Sequence, residues 1–320
     1  MVVKNNYSLR LNKDIERKLI AQNILELKKY WYIFHDYLYV GFWSIYFMDF
    51  KLFHKLLGIS DMISFEKWDT SRPNFNSPYD FIKIESWNFA ERYRIIDFSK
   101  KIFFRLDYED PLTNDILRDI DDIVRNKVFK KWTILSFSFQ CHLPIDLEEI
   151  NKYIDNFWEW WKWYLKWKMI DGERSLLPQK EDIKQGNLGD IYTQILEGKI
   201  KACLMEKTDM DCLTLYKYSY KDWAKMFTVW FLLDSKERVT QIKQGIWDIP
   251  IININAPILT LKEKEAFNKN LSGISDILRD EENNKEARIS EKLGYKLNEK
   301  WIEEYLKFYK EYPHFTEVTI

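Results

Sequence analysis

The chain has 320 residues, 46% hydrophobic and 31% charged, long enough for a large soluble core and for two domains or subdomains. With 49 basic against 50 acidic residues the formal net charge is -1, which excludes a global basic field for nucleic acid and leaves only local patches open. Nine glycines and eight prolines argue against a disordered chain, and Cys141, Cys203 and Cys212 form no CxxC and no disulfide framework, which suits a reducing cytosol.

The chain turns polar directly after Met1-Val2-Val3, so no signal peptide is expected. Asn12 stands as an N-cap, with Asp14 and Glu16 in the first turn of a helix predicted over 13–39. Gly41 divides it from a second helix, whose apolar stripe is Phe42, Ile45, Tyr46, Phe53 and Leu56. Gly58 sits where a left-handed C-terminal residue is wanted. Pro73 and Pro78 then punctuate a loop. The run 30–50 is the most apolar of the chain, but His35, Asp36 and Asp49 interrupt it, so it reads as buried in protein and not in a bilayer.

This block resembles the C-terminal domain of PoNi-type immunity proteins, which neutralise polymorphic DNase toxins. The matching residues are Gly41-Phe42-Trp43, Leu57-Gly58-Ile59-Ser60-Asp61 and Pro78-Tyr79-Asp80, within about 42 residues from Tyr39 to Asp80. Ile45, Tyr46 and Phe47 stand where that family carries an acid, and the block lies near the N-terminus, not the C-terminus. The resemblance implies a toxin-binding protein without catalytic residues.

Further along, 81–108 is ambiguous, with Phe81 to Lys100 fitting a helix and Ile102 to Leu106 a strand. The segment 107–122 holds seven acids and one base, with Thr113 or Asn114 as a helix cap and Ile116, Ile120 and Ile123 as an apolar face. It reads as a solvated helix face or as a phosphate-mimicking contact surface. Trp132 to Leu143 alternates as a strand. A helix from Asp146 carries Trp158, Trp160, Trp161, Trp163 and Trp167 around nearly its whole circumference, a pattern for burial between layers. Ile191 to Leu196 is predicted helical with Gly198 as its stop, and 199–220 mixes short apolar runs with polar turns, with room for two strands. Asp222 caps a run through Trp223, Phe227, Trp230 and Phe231. Pro250 and Pro257 leave 249–259 extended and edge-like, and helices follow over 261–268, 275–293 and 299–312, stopped by Gly294 and Pro313.

The expected architecture is therefore mainly α with a minor β component, multi-helical, with α+β as the alternative. A helical subdomain over 1–170 would be joined through a linker at 171–190 to a second mainly helical subdomain over 191–320. No P-loop, GxGxxG, HExxH or GxSxG occurs, and no cofactor or metal site is expected. The function expected is a cytoplasmic, non-catalytic immunity or inhibitor protein that blocks a toxin or nuclease. Its contacts would be Glu109, Asp110, Asp119, Asp121 and Asp122 at the rim, with Trp68 and Phe75 as aromatic anchors. Two alternatives stand beside it. One is a metal-dependent nuclease using Asp234 and Lys236 with Asp209 or Asp211; the other is an accessory subunit of a phage or defence complex.

Overall fold

The computed structural model describes residues 10–42, 46–66, 70–86, 95–112, 114–125, 130–141, 188–205, 207–245, 249–280, 284–296 and 299–313. The tryptophan helix expected over 146–167, and Trp68, lie outside these residues.

The chain is α/β, which corrects the mainly helical expectation. Its centre is an eight-stranded sheet in the order β3-β2-β1-β4-β5-β7-β6-β8. The strands are β1 (Tyr37–Phe42), β2 (Asp61–Glu66), β3 (Ile82–Ser86), β4 (Lys101–Pro111), β5 (Thr133–Gln140), β6 (Met210–Lys221), β7 (Lys225–Ser235) and β8 (Ile251–Ile254). β1 to β5 are mutually parallel, and β7 runs antiparallel to β5. β1 pairs with β2 on one side and β4 on the other. Strand order thus reverses between β1 and β4, the switch point of a doubly wound, Rossmann-like sheet.

The interleaved helices are α1 (Leu11–Glu26), α2 (Met48–Leu57), α3 (Ser71–Asn76), α4 (Asn114–Val124), α5 (Leu188–Leu204) and α6 (Lys236–Gly245). α7 (Leu261–Lys269), α8 (Leu271–Arg279), α9 (Lys285–Leu293) and α10 (Glu299–Phe308) follow.

The strand expected over 132–143 is β5, but β1, β2 and β7 escaped the spacing argument for a physical reason. A parallel strand covered on both faces loses its polar alternation and reads as one apolar run. Tyr37 to Val40 are all buried, as are Met62, Ile63 and Phe65. The 13–39 run is therefore α1, two short 3-10 turns and the start of β1, and Gly41 lies within a strand. The helix expected from Phe42 starts only at Met48, with Gly58 closing it at φ 75°. The run through Phe227, Trp230 and Phe231, with Asp222 as its expected cap, is β7. Likewise Gly198 lies inside α5 and does not stop it.

Packing assigns the helices to two faces of the sheet. Leu38, Val40, Phe104, Leu106, Leu135, Phe137, Phe231 and Leu233 form one buried cluster with Ile116, Ile120 and Ile123 of α4 and Ile191, Ile195 and Ile200 of α5. On the opposite face Tyr39 meets Phe50 and Phe53 of α2 and Phe103 of β4, with ring centroids 5.0–5.2 Å apart.

The chain divides into two compact units. The larger comprises Ile20–Ser219 and Trp223–Asn253 and holds nearly all of the sheet. The smaller comprises Met1–Leu19, Tyr220–Asp222 and Ile254–Ile320. Within the smaller unit, Asp222 accepts bonds from the backbone N–H groups of Asn12 and Lys13, satisfying donors at the start of α1. Asn12 donates to the Lys221 carbonyl and accepts from the Ala256 N–H, so its amide ties chain segments together rather than capping its own helix.

Candidate active site

In an open α/β sheet, ligands bind outside the carboxyl ends of the strands at the switch point. Here that edge is formed by Phe42 of β1, Glu66 of β2, and the end of β4 from Asp107 onward. All belong to the larger unit.

One face of the sheet turns polar as it approaches this edge. Pairing sets Ser64, Gly41, Arg105, Ser136 and Trp230 in a single row across five strands. All five residues are buried. The next row outward brings Asp107 beside Ser138 and Ser138 beside Thr228, whose hydroxyl oxygens are 2.8 Å apart. Arg105 donates from Nε to Oδ2 of Asp49, in the first turn of α2, at 3.2 Å. Its guanidinium also lies 5.9 Å from the centre of the Trp230 ring. The buried cation is thus held by an ion pair and an aromatic face.

Gly41 is needed for space. A Cβ there would lie 2.7 Å from the Tyr39 hydroxyl oxygen, and that ring is itself wedged among Phe50, Phe53 and Phe103. Between β1 and α2 the chain turns through Phe47, a buried residue at φ 50°, ψ 36°. A non-glycine residue rarely takes that conformation, which concentrates at functional turns. Glu66, the last residue of β2, is a buried carboxylate at 7% exposure.

On the other side of the switch point, β4 carries an irregularity. From Asp107 opposite Ser138 to Pro111 opposite Gln140, β4 advances four residues while β5 advances two. Such bulges re-aim side chains and occur beside active sites. Within this one, Tyr108 packs edge-on against Phe42 with centroids 5.2 Å apart. Its hydroxyl donates to Oδ2 of Asp119, a carboxylate on α4 at 1% exposure.

The residues expected to form one acidic contact face do not share a surface. Asp119 is buried toward Tyr108. Asp121 faces α5, accepting from Lys199, Arg125 and Cys203. Asp110 and Asp122 are exposed, and Glu109 lies in β4 between Tyr108 and Asp110. Phe75 is 89% exposed on α3. The Asp234/Lys236 pair of the nuclease alternative sits at the amino edge of the parallel strands, since Thr133, the first residue of β5, pairs with Leu233. Asp234 is buried, accepting from Tyr32 and from the Ser235 N–H at 2.6 Å each. Lys236 begins α6, with its N–H on the Asp209 carbonyl. Asp209 itself pairs with Lys131 at 2.5 Å. Asp234 and Asp209 therefore have protein partners.

A family model described as "Putative O-methyltransferase" matches residues 5–320. The chain belongs to this O-methyltransferase family. The match overturns the immunity-protein resemblance, which rested on about 42 residues, and with it the toxin partner and the non-catalytic and nuclease readings. No curated protein matches the chain in sequence. Among solved structures it is similar to an uncharacterized protein from Listeria monocytogenes serotype 4b, at 10% identity over 92% of this chain and 97% of that one, TM-score 0.35. It is also similar to the tRNA methyltransferase TrmK of B. subtilis, at 9% identity over 92% and 96%, TM-score 0.35.

Sequence reasoning missed Glu66, Tyr108 and the Asp49–Arg105 pair. One signal was available: an acid closing an apolar run about 25 residues after the glycine that ends an earlier run, the spacing at which a doubly wound fold brings a carboxylate to a ribose. Among the described residues no helix is long and apolar enough to cross a membrane.

Proposed function

We propose that this protein transfers a methyl group from a sulfonium donor of the S-adenosylmethionine type to an oxygen acceptor. The observation that carries the reading is Glu66. It is a buried carboxylate at the carboxyl end of β2, beside the switch point, in a chain of an O-methyltransferase family. A carboxylate there suits the two hydroxyls of a ribose, which donate to its oxygens. The polar row behind this edge, with Arg105 held by Asp49, forms its floor.

The donor supplies an activated methyl group on positively charged sulfur. The protein's own tasks are then to hold the nucleoside through Glu66, to aim the acceptor oxygen along the methyl–sulfur axis, and to remove the acceptor's proton. Orientation alone can lower the barrier by several kcal/mol. The sequence lacks a Gly-x-Gly-x-x-Gly turn. Gly41 lies within β1, the sequence between β1 and α2 carries no glycine, and the positive-φ residue before α2 is Phe47. A cytoplasmic setting fits three buried free thiols.

The test is calorimetric titration with S-adenosylmethionine and with its demethylated product. Wild type should bind both, and Glu66→Gln should weaken each roughly 10- to 100-fold, the loss of charge-assisted bonds worth about 1.5–3 kcal/mol. Wild-type protein without affinity for either ligand would sink the proposal.

A further inference from the structure

We infer that Tyr108 and Asp119 form a proton relay that deprotonates the acceptor hydroxyl; the inference rests on the methyl-transfer reading. Tyr108 stands in the β4 bulge at the carboxyl edge, half-buried, with its ring against Phe42 of the neighbouring strand. Its hydroxyl donates to Asp119, a carboxylate at 1% exposure in the middle of α4. A buried carboxylate is costly unless its charge is used or compensated. On the apolar side of α4, among Ile116, Leu117, Ile120 and Ile123, a leucine would serve packing alone. An acid there, bonded to a tyrosine that reaches the edge, has the arrangement of a base behind a relaying hydroxyl, one oriented by the other.

The proton accounting closes with groups on this chain. As the acceptor oxygen forms its bond to the methyl carbon, the carbon–sulfur bond breaks and its electron pair stays on sulfur. The acceptor O–H proton passes to Oη of Tyr108 while the proton already on Tyr108 passes to Oδ2 of Asp119. Once product leaves, the proton returns along the same path to solvent at the edge. Tyr108 is the group that touches the acceptor, and Asp119 acts through it as a positioning residue and proton store.

The experiment compares wild type, Tyr108→Phe and Asp119→Asn. Donor affinity is measured first, and all three should agree within about two-fold. Absence of donor binding by wild type would fell the methyl-transfer reading and the relay together. Methyl transfer is then followed to two phenols, catechol and the more acidic 4-nitrocatechol, and to a panel of aliphatic alcohols. A relay matters where the acceptor still holds its proton. Both variants should therefore lose about 100-fold in kcat on catechol with little change in KM, and only a few-fold on 4-nitrocatechol, which ionises without help. Equal losses on both phenols would overturn the relay. So would a wild type that binds the donor yet methylates no hydroxyl in the panel, leaving the donor site standing. A readout independent of turnover is the ¹³Cζ resonance of Tyr108, assigned by its loss in Tyr108→Phe. It should shift in Asp119→Asn, and an unmoved resonance would overturn the relay.

Discussion

Replacing Tyr32 by phenylalanine removes one hydroxyl and tests whether Asp234 is a structural carboxylate. In the wild type Asp234 accepts from Tyr32 Oη and from the Ser235 N–H, each at 2.6 Å, at 1% exposure. The ring of Tyr32 packs on Trp132 at a centroid distance of 4.9 Å. A phenyl ring in its place would keep that contact, so the packing loss is small. What disappears is one of two bonds to a buried carboxylate, and a hydrogen bond to a charged group contributes about 1.5–3 kcal/mol. For a unit of this size that corresponds to roughly 3–12 °C in Tm. The pH dependence fixes the sign. Burial pushes the Asp234 carboxyl above its ordinary value, against the opposing pull of the Tyr32 and Ser235 bonds and of Arg238 and Lys131. Its folded pKa therefore lies above the unfolded one, so stability falls as pH rises through that interval. Loss of the Tyr32 hydroxyl pushes the folded pKa higher still. The cost of the substitution should be largest at pH 8, where the carboxylate is charged, and shrink on acidification, where a neutral acid loses only an ordinary bond. Urea denaturation of both proteins at pH 8 and pH 5 measures it. A cost below about 0.5 kcal/mol, or one that grows on acidification, would refute the reasoning.

Gly41→Ala should destabilise the larger unit by about 1–3 kcal/mol, because the Tyr39 ring it would strike has no room to withdraw; thermal denaturation checks it, and donor affinity should fall in parallel. Thr260→Ala should cost about 1 kcal/mol by chemical denaturation, since Thr260 and Glu263 form a reciprocal capping box at the start of α7. Phe75→Ser, at a side chain 89% exposed, should change stability by less than about 0.5 kcal/mol in the same assay. Asp121→Asn should destabilise by about 2 kcal/mol at pH 7 and less in acid. Burial raises the Asp121 carboxyl, but bonds from Lys199, Arg125 and Cys203 outweigh it and hold it low. Its contribution is thus present above the unfolded pKa and lost as pH falls through the folded one, which a pH series of denaturation curves would show.

What the sequence disclosed and what it hid divide along a physical line. Features set by local chemistry were legible. Examples are the helix-ending glycines Gly58 and Gly294, the apolar face Ile116, Ile120 and Ile123 of α4, and the extended stretch around β8. Features set by the sheet were not. β1 and β2 lie with neighbours on both sides, so Tyr37-Leu38-Tyr39-Val40 shows no alternation and merges with the helix before it. Glu66 is marked only by its spacing from Gly41, and it matters because β2 ends beside β1. The acidic segment is the sharpest case. Counted along the chain its charges reinforce one another and suggest a surface. In space they are dispersed by the bulge in β4 and the turns of α4. Asp119 faces Tyr108, Asp121 faces α5, and Asp110 and Asp122 face solvent. A carboxylate that folding buries behind a tyrosine at a ligand-binding edge no longer contributes to a surface field; it becomes a site with its own proton chemistry. Net charge over a segment is therefore informative about partners only where the fold leaves that segment on one face.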